Sequence, residues 1–176
     1  MAQFKKLENC NVIEGHLQIV LLDNGTTKDF ENISFPKLYE ITDYLLIFRI
    51  RGLQSIGKLL PNLSVIRGRK LLHNYAFVVY EMIHLQEIGM RSLTNIIRGD
   101  VRIDKNPSLC FVDTIDWSRI TRNYLISGNK DPSACPNCKE DCPVVSARRE
   151  DGKSIGDAFN RVCWNSDICQ RHCKLS

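Results

Sequence analysis

Apolar and polar residues alternate with a period of two in short runs through the first two thirds of the chain, and Gly, Pro, Asn and Asp bound the runs. That period places successive side chains on opposite faces of an extended strand, so the runs predict strands joined by corners, not amphipathic helices. Four of them share a phrase: Ile13 to Ile19 (IEGHLQI), Ile41 to Ile47 (ITDYLLI), Ile66 to Leu72 (IRGRKLL) and Ile97 to Ile103 (IRGDVRI). They start 28, 25 and 31 residues apart. Two further phrases fall between them in fixed order, LQSIG at 53–57 with LQEIG at 85–89, and FPKLYEI at 35–41 with LPNLSVI at 60–66. Ordered phrases at a near-constant period predict a solenoid, whose turns bury their apolar edges only by stacking on one another.

Within that frame Gly15, Gly52, Gly57, Gly68, Gly89 and Gly99 fall at corners, where a positive φ or close backbone approach is required. Helix is confined to the ends: a turn or two within DNGTTKDFENI from Asp23, and a short capped helix or 3-10 turn in DTIDWSRIT at 113–121. If Leu17, Ile19, Leu45 and Ile47 point inward, then Gln18, Val20, Leu46 and Phe48 line the outer face, and Arg102 and Asp104 continue those columns on the last turn. The third turn is shifted near Lys70, which leaves Leu72, His73, Asn74 and Tyr75 as candidates for its outward set. Leu46, Phe48, Leu72, Tyr75, Val78 and Tyr80, margined by Glu81, Arg102, Asp104 and Lys105, form an apolar and aromatic centre with a charged rim, the layout of a binding interface.

Composition narrows the class. With 176 residues, 43% hydrophobic and 25% charged, the chain holds one domain with a real core and a small appendage. The net charge of +4 is mild, and Lys and Arg are scattered among 20 Asp and Glu instead of forming a stripe, so nucleic acid is a poor partner. No apolar run approaches the roughly 20 residues of a membrane span, and the N-terminus lacks a signal-peptide h-region. Yet of eight cysteines, six fall in the last 42 residues, at Cys135, Cys138, Cys142, Cys163, Cys169 and Cys173, the density of a disulfide framework in an oxidising compartment. Sequons at Asn24, Asn32 and Asn62 agree with secretion. Exported cysteines without an export signal are expected of a piece of a longer chain. The shift to KDPSACPNCKEDCP after Asn129 puts a module boundary near 133/134.

LENCNVIEGHLQI, FPKLYEITDYLLIFRI, LPNLSVIRG, NYAFVVYEM and RIDKNPSLCFVDTIDWSRI, in that order, resemble the first receptor L domain of the insulin and insulin-like growth factor receptors, and the ending NRVCWNSDICQRHC is similar to the start of the furin-like cysteine-rich region that follows it. The resemblance implies a mainly β fold, a single-stranded right-handed β-helix related to leucine-rich-repeat solenoids, over 1–133, with a truncated cysteine-rich module over 134–176. It implies an extracellular fragment of a transmembrane receptor tyrosine kinase, itself without a kinase domain or cofactor, from a disulfide-linked homodimeric parent. The expected partners are an insulin-like peptide hormone and a helical receptor segment absent from this chain, and no membrane contact by the chain itself. By the same likeness the hormone-binding set is Gln18, Val20, Leu21, Leu46, Phe48, Leu72, His73, Asn74, Tyr75, Val78, Tyr80, Glu81, Arg102, Asp104 and Lys105. Asp23 stands where the likeness leads one to expect an aromatic, and Leu72 where it suggests Phe. The pairing it implies is Cys110–Cys135, Cys138–Cys163 and Cys142–Cys169, with Cys10 and Cys173 bonded to partners outside the chain.

Other readings have weaker grounds. Cys135-x2-Cys138 with Cys169, His172 and Cys173 has zinc-ligand types but no clean pair of Cys-x2-Cys knuckles. A soluble decoy that holds hormone without signalling is permitted by the absence of a kinase. Catalysis is disfavoured: GKS at 152–154 lacks the glycine a P-loop requires at position 147, and His16, His73, His84 and His172 lie in separate turns without a nucleophile partner. Trp117 and Trp164 read as packing residues.

Overall fold

The computed structural model describes residues 4–145 and 160–171. A broad five-stranded sheet, ordered β2-β4-β6-β8-β9, is parallel throughout. Its strands are β2 (Leu17–Leu22), β4 (Leu45–Ile50), β6 (Tyr75–Tyr80), β8 (Asp100–Asp104) and β9 (Tyr124–Ser127). A narrow four-stranded sheet of β1 (Val12–Ile13), β3 (Glu40–Ile41), β5 (Val65–Ile66) and β7 (Asn95–Ile96) is also parallel, in that order. Each of the first four turns lays one short strand in the narrow sheet, rounds a corner, lays one long strand in the broad sheet, and returns. Parallel neighbours one turn apart are the topology that period-28 repeats require.

The core follows the phrases. Leu17, Ile19, Leu45, Ile47, Phe77, Val79, Val101 and Ile103 point inward from the broad sheet. Leu53 with Leu85 and Ile56 with Ile88 fill the third side, as LQSIG and LQEIG predict. Phe35, Leu38 and Ile41 stack on Leu60, Leu63 and Ile66, and the buried trio Met90, Leu93 and Ile96 adds a third copy of that phrase. Its wording, MRSLTNI, hides it, because only the apolar spacing is kept. Gly89 holds a corner at φ 62°, whereas Gly57 falls in a helical turn and needs glycine for close approach: a Cβ on it would collide with the Gly89 carbonyl of the next turn.

Two details depart from the phrase alignment. Ile66 pairs with Ile96, not Ile97, so Ile97 is an extra corner residue left 50% exposed. The third long strand is not the IRGRKLL phrase but Tyr75–Tyr80, since nine positions separate Gly68 from Phe77 where two separate Gly99 from Val101. The added stretch ends in a two-residue hairpin: Leu72 and Tyr75 exchange backbone hydrogen bonds of 2.9 and 3.0 Å, with His73, at φ 57°, and Asn74 at the tip. A bulge between Tyr75 and Phe77 restores the register to β8.

Short helices occur at the ends and once within the stack. In α1 (Thr27–Phe30) the Asp29 carboxylate accepts from both the backbone N–H and the hydroxyl of Thr26, at 2.7 Å each. A second short helix, α2 (Ile56–Leu59), which the sequence reading does not foresee, is capped by Ser55. Val112–Thr114 and Trp117–Arg119 are 3-10 turns beneath the last strands. Trp117 and Trp164 are each 2% exposed and meet edge to face, 6.2 Å between centroids. Both are packing residues. Disulfides Cys110–Cys135, Cys138–Cys163 and Cys142–Cys169, with an antiparallel pair β10 (Val144–Val145) and β11 (Asn160–Arg161), bind the tail to this end. Cys10 is a free thiol, and Cys173 lies outside the described residues.

Candidate functional site

Register stacks the outward residues of the broad sheet into columns about 4.8 Å apart per turn. One runs Gln18, Leu46, Val78, Arg102, Leu125; the next runs Val20, Phe48, Tyr80, Asp104, Ser127. β9 is thus a fifth turn, unforeseen from sequence, with Leu125 and Ser127 in the outward positions and Tyr124 and Leu125 exposed.

Each strand ends the same way. Leu21, Arg49, Glu81, Lys105 and Gly128 follow the second column and hold φ of 57°, 48°, 53°, 60° and 62°. A left-handed residue there breaks the period-two alternation and sends two successive side chains outward. Four of the five are not glycine, an arrangement that costs about 1 kcal/mol each and persists where the surrounding structure enforces it. Sequence reasoning therefore missed Arg49: nothing in its residue type signals a left-handed corner.

Aromatic rings and charges interlock across this face. Phe48 and Tyr80 stack at 5.8 Å. The Arg102 guanidinium lies 4.9 Å from the Tyr80 ring and 5.9 Å from Tyr75, and Nη2 donates to Asp104 at 2.9 Å. Lys105 Nζ donates to the Tyr80 hydroxyl at 2.8 Å, and that bond raises its pKa. Arg49 sits 5.0 Å over Phe48 and forms an ion pair with Glu81, whose carboxyl it holds below the usual range. Burial works against the Asp104 carboxylate, but hydrogen bonds from Arg102 and Ser127 outweigh it and lower its pKa. Arg102 Nε is buried and has no acceptor.

Not every candidate is open to a partner. Val78 and Asp104 are 6% and 7% exposed, because Arg102 spreads over the strand between two tyrosine rings and engages Asp104. They underlie the surface instead of forming it. Leu46, Phe48, Val20, Leu72, Tyr75, Tyr80, Glu81 and Arg102 are half-buried, and Gln18, Leu21, His73, Asn74 and Lys105 are exposed. The His73–Asn74 tip stands at the start of β6, and Gln18 donates to Tyr44 Oη at 2.7 Å, which in turn stacks on His16 at 4.8 Å. Asp23 lies at the opposite margin, lining with Arg49, Arg51, Glu81 and Lys105 a cavity of about 540 Å³ at the strand ends.

The zinc reading fails on chemistry. Cys135, Cys138 and Cys169 are all oxidised into disulfides, which cannot act as thiolate ligands, and His172 lies outside the described residues. Asn24, Asn32 and Asn62 are all exposed, the last donating to the Pro36 carbonyl at 2.7 Å. Among the described residues no helix is long and apolar enough to cross a membrane.

A stacked parallel β-solenoid with one broad face of aromatic, apolar and charged columns defines the class. The receptor L domain family matches residues 9–121, and the chain belongs to that family. It is 46% identical over 179 residues to the insulin-like growth factor 1 receptor of Xenopus laevis, covering 98% of this chain and 13% of that protein. It is 45% identical over 181 residues to the insulin-like peptide receptor of Branchiostoma lanceolatum, covering 100% of this chain and 12% of that one. The insulin receptor of Xenopus laevis is 46% identical over 182 residues, with 98% and 13% covered. The chain spans about an eighth of the length of these curated relatives.

Proposed function

We propose that this chain is the extracellular hormone-binding fragment of an insulin-like receptor, and that its broad sheet face binds an insulin-like peptide together with a helical segment of the same receptor. The observation that carries the reading is the Phe48–Tyr80 stack at the centre of the face, left half-open to solvent and ringed by Arg49, Glu81, Arg102 and Lys105. The inward columns already complete the core, so these rings serve no packing need of the fold. Aromatic anchors within a charged margin are the usual energetic centre of a protein interface. The relatives are receptors for insulin, insulin-like growth factor 1 and insulin-like peptides, and that supports the ligand class.

In this reading the parent is a disulfide-linked, membrane-spanning receptor tyrosine kinase, residues 1–133 are the L domain, 134–176 begin the cysteine-rich region, and Asn24, Asn32 and Asn62 carry glycans. The face alone holds part of a composite interface, so affinity depends on the helical segment. The test is calorimetric titration of the secreted, oxidised chain with an insulin-like peptide, with and without a synthetic receptor helix, on wild type, Phe48→Ala and Tyr80→Ala. The expected result is binding that the helix strengthens and that each substitution weakens about 30-fold, the level of an interface hot spot near 2 kcal/mol. Absence of binding with the helix present, or binding indifferent to both substitutions, overturns it.

A further inference from the structure

Cations scattered along the sequence are brought together at one corner. Gly68 packs so closely on the next turn that a Cβ there would overlap the Arg98 carbonyl, which puts the corners of the third and fourth turns back to back. Arg98 Nη1 reaches the Arg69 carbonyl at 3.4 Å. One turn further, Thr121 donates to the Gly99 carbonyl at 3.2 Å and the Val101 N–H donates to Asn123 at 3.1 Å, so Arg122, between Thr121 and Asn123, stacks over the Gly99 corner. Lys70, beside Arg69, is supplied by the stretch that only the third turn carries. Arg69, Lys70, Arg98 and Arg122 are all exposed, and among the described residues none forms an ion pair.

Of the carboxylates nearby, Glu40 is held by Arg67 and Glu14 belongs to the first turn. Asp100, which accepts from the neutral Asn123 amide at 3.1 Å, and the buried Asp43 stand against the four cations, so the corner stays net positive. Three of these cations are arginines, whose planar fork matches sulfate and carboxylate oxygens.

We propose that this corner is a docking stripe for a linear sulfated polysaccharide, laid along the solenoid axis across the last three turns. Turn spacing of about 4.8 Å gives the stripe a length of about 10 Å along the axis, which suits an extended polyanion lying across successive turns. The choice of a polysaccharide rests on the extracellular placement proposed above, while the stripe itself does not, and it lies apart from the Phe48–Tyr80 face.

The test is the salt dependence of binding to immobilised heparin, for the secreted chain and for the variant Arg69→Ala/Arg98→Ala/Arg122→Ala. On the counterion-release scale of duplex DNA, four contacts cost roughly a hundredfold in affinity between 50 and 200 mM salt, and the single remaining Lys70 about threefold. The Arg→Lys triple variant is expected to retain most of the slope. An unchanged circular dichroism spectrum checks the fold, and hormone titration on the same variants is expected to be unchanged, so failure of this stripe and failure of the hormone face are separate results. No retention of wild type on heparin, equal retention of the alanine variant, or tighter binding to polyglutamate, duplex DNA or phosphatidylserine vesicles overturns the proposal.

Discussion

Asn106 is fully buried at the corner behind Lys105 and joins three turns. Its Oδ1 accepts from the Met82 N–H at 2.9 Å, and its Nδ2 donates to the Val79 carbonyl at 3.3 Å and to Asn129 Oδ1 at 2.9 Å. Asn129 passes the link on to the Ile103 carbonyl at 3.0 Å. In Asn106→Ala the backbone N–H of Met82, a residue that is itself fully buried, loses its acceptor, and the Val79 carbonyl loses a donor. A buried amide left without a partner costs about 1–3 kcal/mol, and the two Nδ2 bonds add about 1 kcal/mol net. The sum, about 3 kcal/mol, corresponds to a fall in Tm of about 6–12 °C for a chain of this size. Calorimetry measures the total, and hydrogen exchange locates it: the Met82 amide is expected to lose protection beyond the global change. A Tm within about 1 °C of wild type, or Met82 protection that falls no more than that of the core strands, refutes the claim that side-chain amides clamp the corner beneath Tyr80 and Lys105.

Gly57 lies in α2, where helix propensity alone makes Gly57→Ala stabilising by about 1 kcal/mol. Overlap with the Gly89 carbonyl reverses the sign, so urea unfolding is expected to show a loss of about 1–3 kcal/mol. Replacing Cys110 and Cys135 by Ser opens a loop of sequence separation 25, which in the chain-entropy relation removes about 3.5 kcal/mol; denaturant midpoints with matched m-values read it. Asp104 has a carboxyl pKa lowered from 3.8, so its contribution is complete above that value and disappears as pH falls through the lower folded-state pKa. Asp104→Asn is expected to flatten the decline of Tm in acid between about pH 5 and pH 2, and an unchanged acid limb counts against the Arg102–Asp104 link.

Much of the solenoid was legible because its determinants are periodic. Inward Leu17, Ile19, Leu45 and Ile47, the corner glycines and the third-side leucines follow from alternation and stacking alone. The third long strand was not, since seven extra residues precede Phe77 and a hairpin that takes them up carries no Asn-Gly signature, only His73-Asn74. Ile97 illustrates a one-residue slip that wording conceals: two phrases share Ile-Arg-Gly, yet backbone pairing aligns Ile66 with Ile96. On the candidate face, the columns through Phe48 and Tyr80 emerge from register, whereas Arg49 depends on a left-handed backbone that its side chain does not encode. The disulfide partners could be named only through family resemblance, because connectivity depends on how the tail folds back on Trp117 and Thr114.

Amide chemical-shift mapping during titration of the labelled, oxidised chain with an insulin-like peptide and the receptor helix tests the proposed hormone face most directly. The predicted shifts cluster at Gln18 to Leu21, Leu46 to Arg49, Asn74 to Glu81 and Arg102 to Lys105. Shifts confined to the narrow sheet around Ile13, Ile41, Ile66 and Ile96, or to the cysteine-rich tail, contradict it.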